Sequence, residues 1–99
     1  MAIVVRFASP NFTEAIYAET VKKLEAAGAG SPPGRLYHVC FGDKASLRVS
    51  DIWESREAFD KFSETLQPIL TEQGVQPGEV EFFDVHNIIA GKNVSGATP

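Results

Sequence analysis

The spacing of apolar residues changes in the middle of the chain, and the change predicts a strand that runs directly into a helix. Residues 47–53 alternate, with Leu47, Val49, Asp51 and Trp53 on one side, whereas the later apolar positions Phe59, Phe62 and Leu66 have helical spacing. Ser55 stands at the change, where its hydroxyl can accept from the first helical turn. The pattern predicts a strand over Ser46–Trp53 and a helix that starts at Ser55 and reaches Leu66. A kink or restart is expected at Pro68, because proline lacks a backbone donor, and Gly74 is expected to end the helix.

The rest of the chain predicts three more strands and one more helix. The strands span residues 2–8, 35–41 and 79–89, and the helix runs from about residue 13 to residue 27. Two helix starts are compatible with the sequence: Asn11 paired with Glu14 as a capping box, or Thr13 as N-cap with Phe12 and Tyr17 as a hydrophobic staple. Gly42-Asp43-Lys44 is predicted to turn the second strand back into the third as a hairpin.

The order β-α-β-β-α-β predicts a ferredoxin-like α+β fold, with an antiparallel sheet and both helices on one face. Residues 1–90 form one predicted domain, and residues 91–99 form a predicted flexible tail because their composition offers little to bury. The single cysteine excludes an iron–sulfur cluster.

Large apolar residues occupy both sides of the predicted strands. In the second strand, His38 and Cys40 alternate with Tyr37, Val39 and Phe41. A sheet with helices on one face only would then expose an apolar surface, and a second copy of the sheet would cover it. The pattern therefore predicts a homodimer.

Composition narrows the classes of partner. The 99 residues carry a net charge of −4, and their nine Lys and Arg are scattered, which argues against nucleic-acid binding. The lone Cys40 fits a reducing compartment. The first ten residues lack a basic region and a long apolar run, and no stretch approaches the length of a membrane span, so we expect neither a signal peptide nor a span. We expect a cytoplasmic protein without membrane association.

Three short segments carry a family resemblance: Asp51-Ile52-Trp53-Glu54-Ser55 followed by Glu57-Ala58-Phe59, Tyr37-His38 in the second strand, and Val85-His86-Asn87 in the last. Over residues 2–89 the chain resembles the dimeric α+β barrel superfamily, which contains the antibiotic-biosynthesis monooxygenase-like proteins. In that superfamily two ferredoxin-like sheets face each other. The resemblance implies a fold but does not choose among the activities found on it.

Two branches of the superfamily suggest site residues. The haem-degrading branch uses an Asn, a Trp and a His, and the corresponding regions here hold Arg6, Phe62 and Thr71-Glu72, so that activity is disfavoured. The quinone-forming monooxygenases use Asn, Trp, Tyr and Arg side chains around a pocket between sheet and helices. This chain offers Arg6, Tyr37, Arg48 and Trp53 as substrate-binding candidates of those residue types.

Polar residues within the strands are the candidates for catalysis: His38, His86 and Asp51. Each histidine is either a hydrogen-bonded packing residue or a general base toward an acidic phenol. Asp51 and Arg6 each lie in the middle of a strand, where an unpaired charge is unfavourable. They pair with each other, with a residue of a dimer mate, or with an anionic ligand. Trp53 is more often a core residue than a site residue, because a Trp at the end of a strand beside a helix start closes the junction. Two histidines, even with Asp51 or Asp84, give no zinc-ligand spacing, so no metal and no cofactor is expected.

Two functions remain open at this point. One is a cofactor-independent monooxygenase acting on a phenol or quinone-type aromatic, with a base and an apolar pocket. The other is a noncatalytic homodimer that binds a small apolar or aromatic ligand or has a structural role. A solvent-connected cavity lined by at least two of the polar candidates would favour the enzyme.

Overall fold

The computed structural model describes residues 1–76 and 78–91, and its elements follow the predicted order. They are β1 (Ile3–Ala8), α1 (Glu14–Ala26), β2 (Arg35–Asp43), β3 (Ser46–Trp53), α2 (Arg56–Glu72) and β4 (Glu79–Asp84). The four strands form one sheet in the order β2-β3-β1-β4, and each neighbouring pair is antiparallel. The predicted ferredoxin-like α+β fold is confirmed.

The helix-covered face of the sheet holds the core, which is divided into two clusters. The first contains Ile3, Val5, Leu24, Trp53 and Phe62, and the second contains Phe12, Leu47 and Leu70. Leu66 of α2 packs against both clusters. The polar groups described below lie where the two clusters meet.

Both helices begin at hydroxyl N-caps. The Thr13 side chain accepts from the Ile16 amide at 3.2 Å, and Ser55 accepts from the Ala58 amide at 3.1 Å. Thr13 is therefore the cap of α1, while Asn11 instead accepts from the Gln76 amide and donates to the Gly74 carbonyl. The two N-caps fix where the residues of each first turn point.

Helix α2 continues through Pro68 to Glu72 without the predicted restart, and it ends just before Gly74, as predicted. Leu70 is buried beyond the proline, and Ile69 packs against the first cluster. This apolar burial holds the helical turn although Pro68 removes one backbone donor.

Two strand ends also differ from the prediction. The β2–β3 ladder continues to Asp43 opposite Ser46, so the hairpin turns at Lys44-Ala45 rather than at Gly42-Asp43-Lys44. Strand β4 ends at Asp84 rather than at Ile89. Its partner β1 begins at Ile3, opposite Asp84, and just beyond this pair the Val85 amide donates to the Ala2 carbonyl at 3.0 Å.

A bulge at Leu36 changes the alternation of β2. Arg35 pairs with Trp53 and Tyr37 pairs with Ile52, so two steps along β2 correspond to one step along β3. Arg35 and His38 consequently lie on the helix-covered face, whereas simple alternation would put them on opposite faces. The bulge is what brings a cationic side chain to the same face as His38.

The helix-free face of the sheet carries large apolar residues, as the sequence predicts. Register places Val4, Ile52, Tyr37, Val39 and Phe83 on this face, and Tyr37 and Phe83 are 44% and 47% exposed. The predicted tail falls almost entirely on residues 92–99, which lie outside the described part of the chain.

Candidate functional site

Three side chains form a continuous hydrogen-bonded line on the helix-covered face. The Tyr17 hydroxyl lies 2.8 Å from His38 Nε2, and His38 Nδ1 lies 2.6 Å from Asp51 Oδ1. The rings of Tyr17 and His38 are nearly parallel, at 8°, with centroids 6.0 Å apart. Asp51 is only 7% exposed, so its carboxylate depends on His38 for a partner.

The fold places each member of this line by a separate local device. His38 and Asp51 face each other directly in the β2–β3 ladder, where facing side chains lie on the same side of the sheet. Tyr17 lies one turn into α1, next to the Thr13 cap. Its ring packs edge-on against Phe12 with centroids 6.0 Å apart, which is the predicted hydrophobic staple.

The chemistry of the carboxylate fixes the direction of the hydrogen bonds. An ionised Asp51 can only accept, so the proton of a neutral His38 ring is on Nδ1, and Nε2 accepts from the Tyr17 hydroxyl. Burial raises the pKa of Tyr17, with Cys40 and Asp51 adding to the rise and the positive charge of Arg35 opposing it. Tyr17 is thus a neutral donor at rest, and His38 Nε2 is the group that can take up a proton.

A cavity of about 230 Å³ lies beside this line, between the sheet and the two helices. Tyr17, His38 and Asp51 all line it, together with Arg35, and its apolar wall includes Phe12, Leu24, Val49, Phe59, Phe62 and Leu70. The wall is drawn from both core clusters, so the cavity occupies the gap between them. A small aromatic molecule would fit a space of this size and polarity.

The structure brings together two of the predicted catalytic residues and separates the third. His38 and Asp51 are bonded to each other and both line the cavity. His86 is exposed and lies beyond the end of β4. Asp51 therefore finds its partner in His38, and not in Arg6, which lies on the other face.

The predicted substrate-binding residues do not line the cavity. Register puts Arg6, Tyr37 and Arg48 on the helix-free face, where the Arg48 guanidinium lies 5.5 Å from the ring centroid of Phe41. Trp53 is completely buried and packs against Phe59 and Phe62, which is the core position that the sequence favours.

Sequence reasoning missed Tyr17 and Arg35. The sequence indicates Tyr17 only as a packing residue of the hydrophobic staple, and the available signal was its position one turn after the Thr13 cap, on the face of α1 that meets the sheet. Simple alternation along β2 puts Arg35 and His38 on opposite faces, and the bulge at Leu36, which has no signal in the sequence, puts them on the same face.

The remaining reactive groups near the line give no sign of a metal centre. Within residues 1–76 and 78–91, no three His, Cys, Asp or Glu side chains are grouped as metal ligands. Burial raises the pKa of the half-buried Cys40 thiol, and the Asp51 carboxylate raises it further, which keeps Cys40 protonated at neutral pH. Neither helix in the described part of the chain has the length and apolar character of a membrane span.

Comparison with known proteins adds a structural likeness. No protein-family model and no curated protein sequence matches the chain. Among solved structures, SnoaB from Streptomyces nogalater, a cofactor-independent oxygenase, superposes with a TM-score of 0.58 at 17% identity, covering 91% of this chain and 96% of its own. A candidate antibiotic biosynthesis monooxygenase from Chloroflexus aurantiacus J-10-fl gives 0.62 at 17% identity, covering 96% and 100%.

A third similar structure, from Nitrosomonas europaea, is also described as a candidate antibiotic biosynthesis monooxygenase. It has a TM-score of 0.64 at 14% identity and covers 86% of this chain and 89% of its own. Identities this low establish the fold and leave the activity open. The chain therefore has the ferredoxin-like α+β fold of the antibiotic biosynthesis monooxygenase-like proteins, as its sequence predicts.

Proposed function

We propose that the protein is a cofactor-independent oxygenase that acts on a small phenol held in the cavity between the sheet and the helices. The observation that carries the proposal is the line Tyr17–His38–Asp51 on the wall of that cavity. The fold, which it shares with an oxygenase of this kind, is a supporting analogy.

The line provides a path for the phenolic proton. A substrate hydroxyl beside Tyr17 donates to the Tyr17 oxygen while Tyr17 passes its own proton to His38 Nε2. The resulting imidazolium is stabilised by the Asp51 carboxylate on Nδ1, as in other base–orienter pairs. Because burial raises the pKa of Tyr17, its phenolate is not a stable stopping point, and the two transfers are coupled.

Oxygen then reacts with the phenolate without a separate reductant. A phenol with a free para C–H group takes one oxygen atom at that carbon and becomes a quinone. The second oxygen atom leaves as water with the phenolic hydrogen and the para hydrogen, so the substrate loses four electrons and one O₂ gains four. The apolar wall excludes water from the reactive anion.

The proposal includes a homodimer in which the helix-free faces of two sheets cover each other. The exposed side chains Tyr37 and Phe83 on that face are its support. Each copy keeps its own cavity, since the cavity lies on the opposite side of the sheet.

Oxygen uptake with 1-naphthol, followed together with the appearance of quinone absorbance, tests the activity. We expect wild-type protein to consume one O₂ per naphthol and to release no hydrogen peroxide. His38→Gln should lose at least about 100-fold in rate, because it removes the proton acceptor. His86→Gln is the matched control, because His86 is exposed and away from the cavity, and it should keep the wild-type rate.

Two results would overturn the oxygenase proposal. One is an equal loss of rate in His38→Gln and His86→Gln. The other is binding of naphthol in the cavity with no oxygen uptake by the folded wild-type protein, which would support the noncatalytic ligand-binding alternative.

A further inference from the structure

Arg35 gives the cavity a cationic end that the proposed proton transfer does not use. Its guanidinium donates to the Gly30 carbonyl at 3.2 Å and lies 5.7 Å from the ring centroid of Phe62. Arg35, Gly30 and Phe62 all line the cavity. Arg35 is thus held between the loop before β2 and helix α2, facing the same space as Tyr17 and His38.

The charge of Arg35 has no acidic partner in the described part of the chain. The ion pairs there join Lys23 with Glu72, Lys44 with Glu14, and Arg56 with Asp60, while Asp51 is taken by His38. Arg35 is half-buried and beside a mostly apolar wall, where an unpaired guanidinium is unfavourable. Only one of its five N–H groups is accounted for by the bond to Gly30.

We propose that Arg35 binds an anionic group of the ligand, so that the cavity selects phenols that carry a carboxylate away from the hydroxyl and keep the carbon para to the hydroxyl free. This inference rests on the site described under the proposed function and names its substrate class. The planar guanidinium can bind a carboxylate through two parallel hydrogen bonds, while the hydroxyl reaches Tyr17.

Arg35 and His38 hold neighbouring positions on the helix-covered face of β2. Because of the bulge, Arg35 stands opposite Trp53 and His38 stands opposite Asp51. These two partners are two residues apart in β3, so the backbone positions of Arg35 and His38 are about 7 Å apart along the strand. The volume of about 230 Å³ is below the range of about 300–1,000 Å³ typical of drug-sized ligands. This volume favours a ligand of one or two rings.

Binding of two isosteric probes separates this inference from the activity. The probes are 4-hydroxybenzoate and the neutral 4-hydroxybenzamide, measured by isothermal titration. The carboxylate of the first and the carboxamide of the second occupy the carbon para to the hydroxyl, so neither probe can become a para-quinone and binding is measured without turnover. We expect wild-type protein to bind the benzoate at least 10-fold more tightly than the benzamide, with the preference weakening as salt rises.

Arg35→Gln should abolish the preference, so that both probes bind with equal affinity. Arg48→Gln is the matched control, because Arg48 is a cation stacked on an aromatic ring on the opposite face, and it should keep the full preference. Arg35→Lys, which keeps the charge but loses the two-pronged geometry, should keep part of it. This variant also shows whether the site tolerates a change at this position.

The inference is overturned if wild-type protein binds the two probes equally or binds neither, or if Arg48→Gln removes the preference as fully as Arg35→Gln. A preference for the benzoate that persists in His38→Gln and disappears in Arg35→Gln supports the inference even if no oxygen uptake is ever found. The two proposals can therefore fail separately.

Discussion

Replacing Tyr17 with Phe separates the role of the hydroxyl from the role of the ring. The substitution removes the 2.8 Å hydrogen bond to His38 Nε2. It leaves the stacking on His38 and the edge-on contact with Phe12, because both involve only ring atoms. Nothing larger than one oxygen atom is lost, so no substantial cavity is added to the core.

The expected cost in stability is small. A neutral hydrogen bond contributes about 0.5–1.5 kcal/mol net, and the exposed 27% of the His38 side chain lets water replace part of the loss. We expect a decrease of about 1 kcal/mol in the free energy of unfolding, which for a domain of this size lowers the melting temperature by about 4–8 °C. The folded state stays dominant.

The expected cost in rate is much larger. Without the hydroxyl a substrate phenol must reach His38 Nε2 directly across the gap that Tyr17 bridged. Loss of a general-base path costs about 10²–10⁴ in rate, which is about 2.7 kcal/mol or more of barrier. The loss of rate should therefore exceed what the loss of stability explains.

Urea denaturation and naphthol-dependent oxygen uptake measure the two effects on the same preparation. Tyr37→Phe is the matched control, since it removes a hydroxyl on the helix-free face, away from the cavity, and should leave the rate unchanged. A Tyr17→Phe variant that keeps its rate within threefold while losing stability would refute the relay and make the hydrogen bond purely structural.

Three further predictions concern stability and assembly. Gly34→Ala should destabilise by about 2–5 kcal/mol in urea denaturation, because Gly34 has φ +88° and a Cβ there would lie 2.6 Å from Ala58 Cβ. Gly28→Ala, where φ is +78° and the space around a Cβ is open, should cost only about 1–2 kcal/mol. Equal losses of stability in the two variants would contradict the packing argument. Because burial raises the pKa of Tyr17, the unfolded state releases the Tyr17 proton at lower pH than the folded state does, so stability falls as pH rises through about 10. This alkaline loss of melting temperature should be smaller in Tyr17→Phe than in Tyr37→Phe. Equal losses would show that Tyr17 does not cause the pH dependence. Sedimentation should give a homodimer, and Ile52→Glu on the helix-free face should give a folded monomer by circular dichroism; a wild-type monomer at micromolar concentration would exclude the dimer.

The fold was predictable from the sequence because its signals are local. The alternation around Trp53, the cap at Ser55 and the glycines after α1 each act within a few residues, and the order of elements then selects the plan. The errors occurred where a neighbouring element decides the outcome. Strand β4 ends at the residue that pairs with the first residue of β1. Helix α2 continues past Pro68 because Leu70 is buried in the second core cluster.

The site was only half predictable for the same reason. His38 and Asp51 stand out as polar residues in apolar strands, and their pairing follows once the hairpin register is known. Tyr17 looks like an ordinary core aromatic until the sheet supplies its hydrogen-bond acceptor. Arg35 cannot be assigned to a face by counting alternate residues, because the count is broken at Leu36.

Because the cavity lies between the two core clusters, a ligand that fills it should raise the melting temperature of the protein. A molecule that fills the space binds the folded chain and not the unfolded one, so it shifts the unfolding equilibrium by about 2.7 kcal/mol at a concentration 100 times its dissociation constant. For a domain of this size that is a rise of about 10 °C or more in melting temperature. A thermal-shift screen of small phenols and their carboxylates would therefore rank candidate substrates before any reaction is observed.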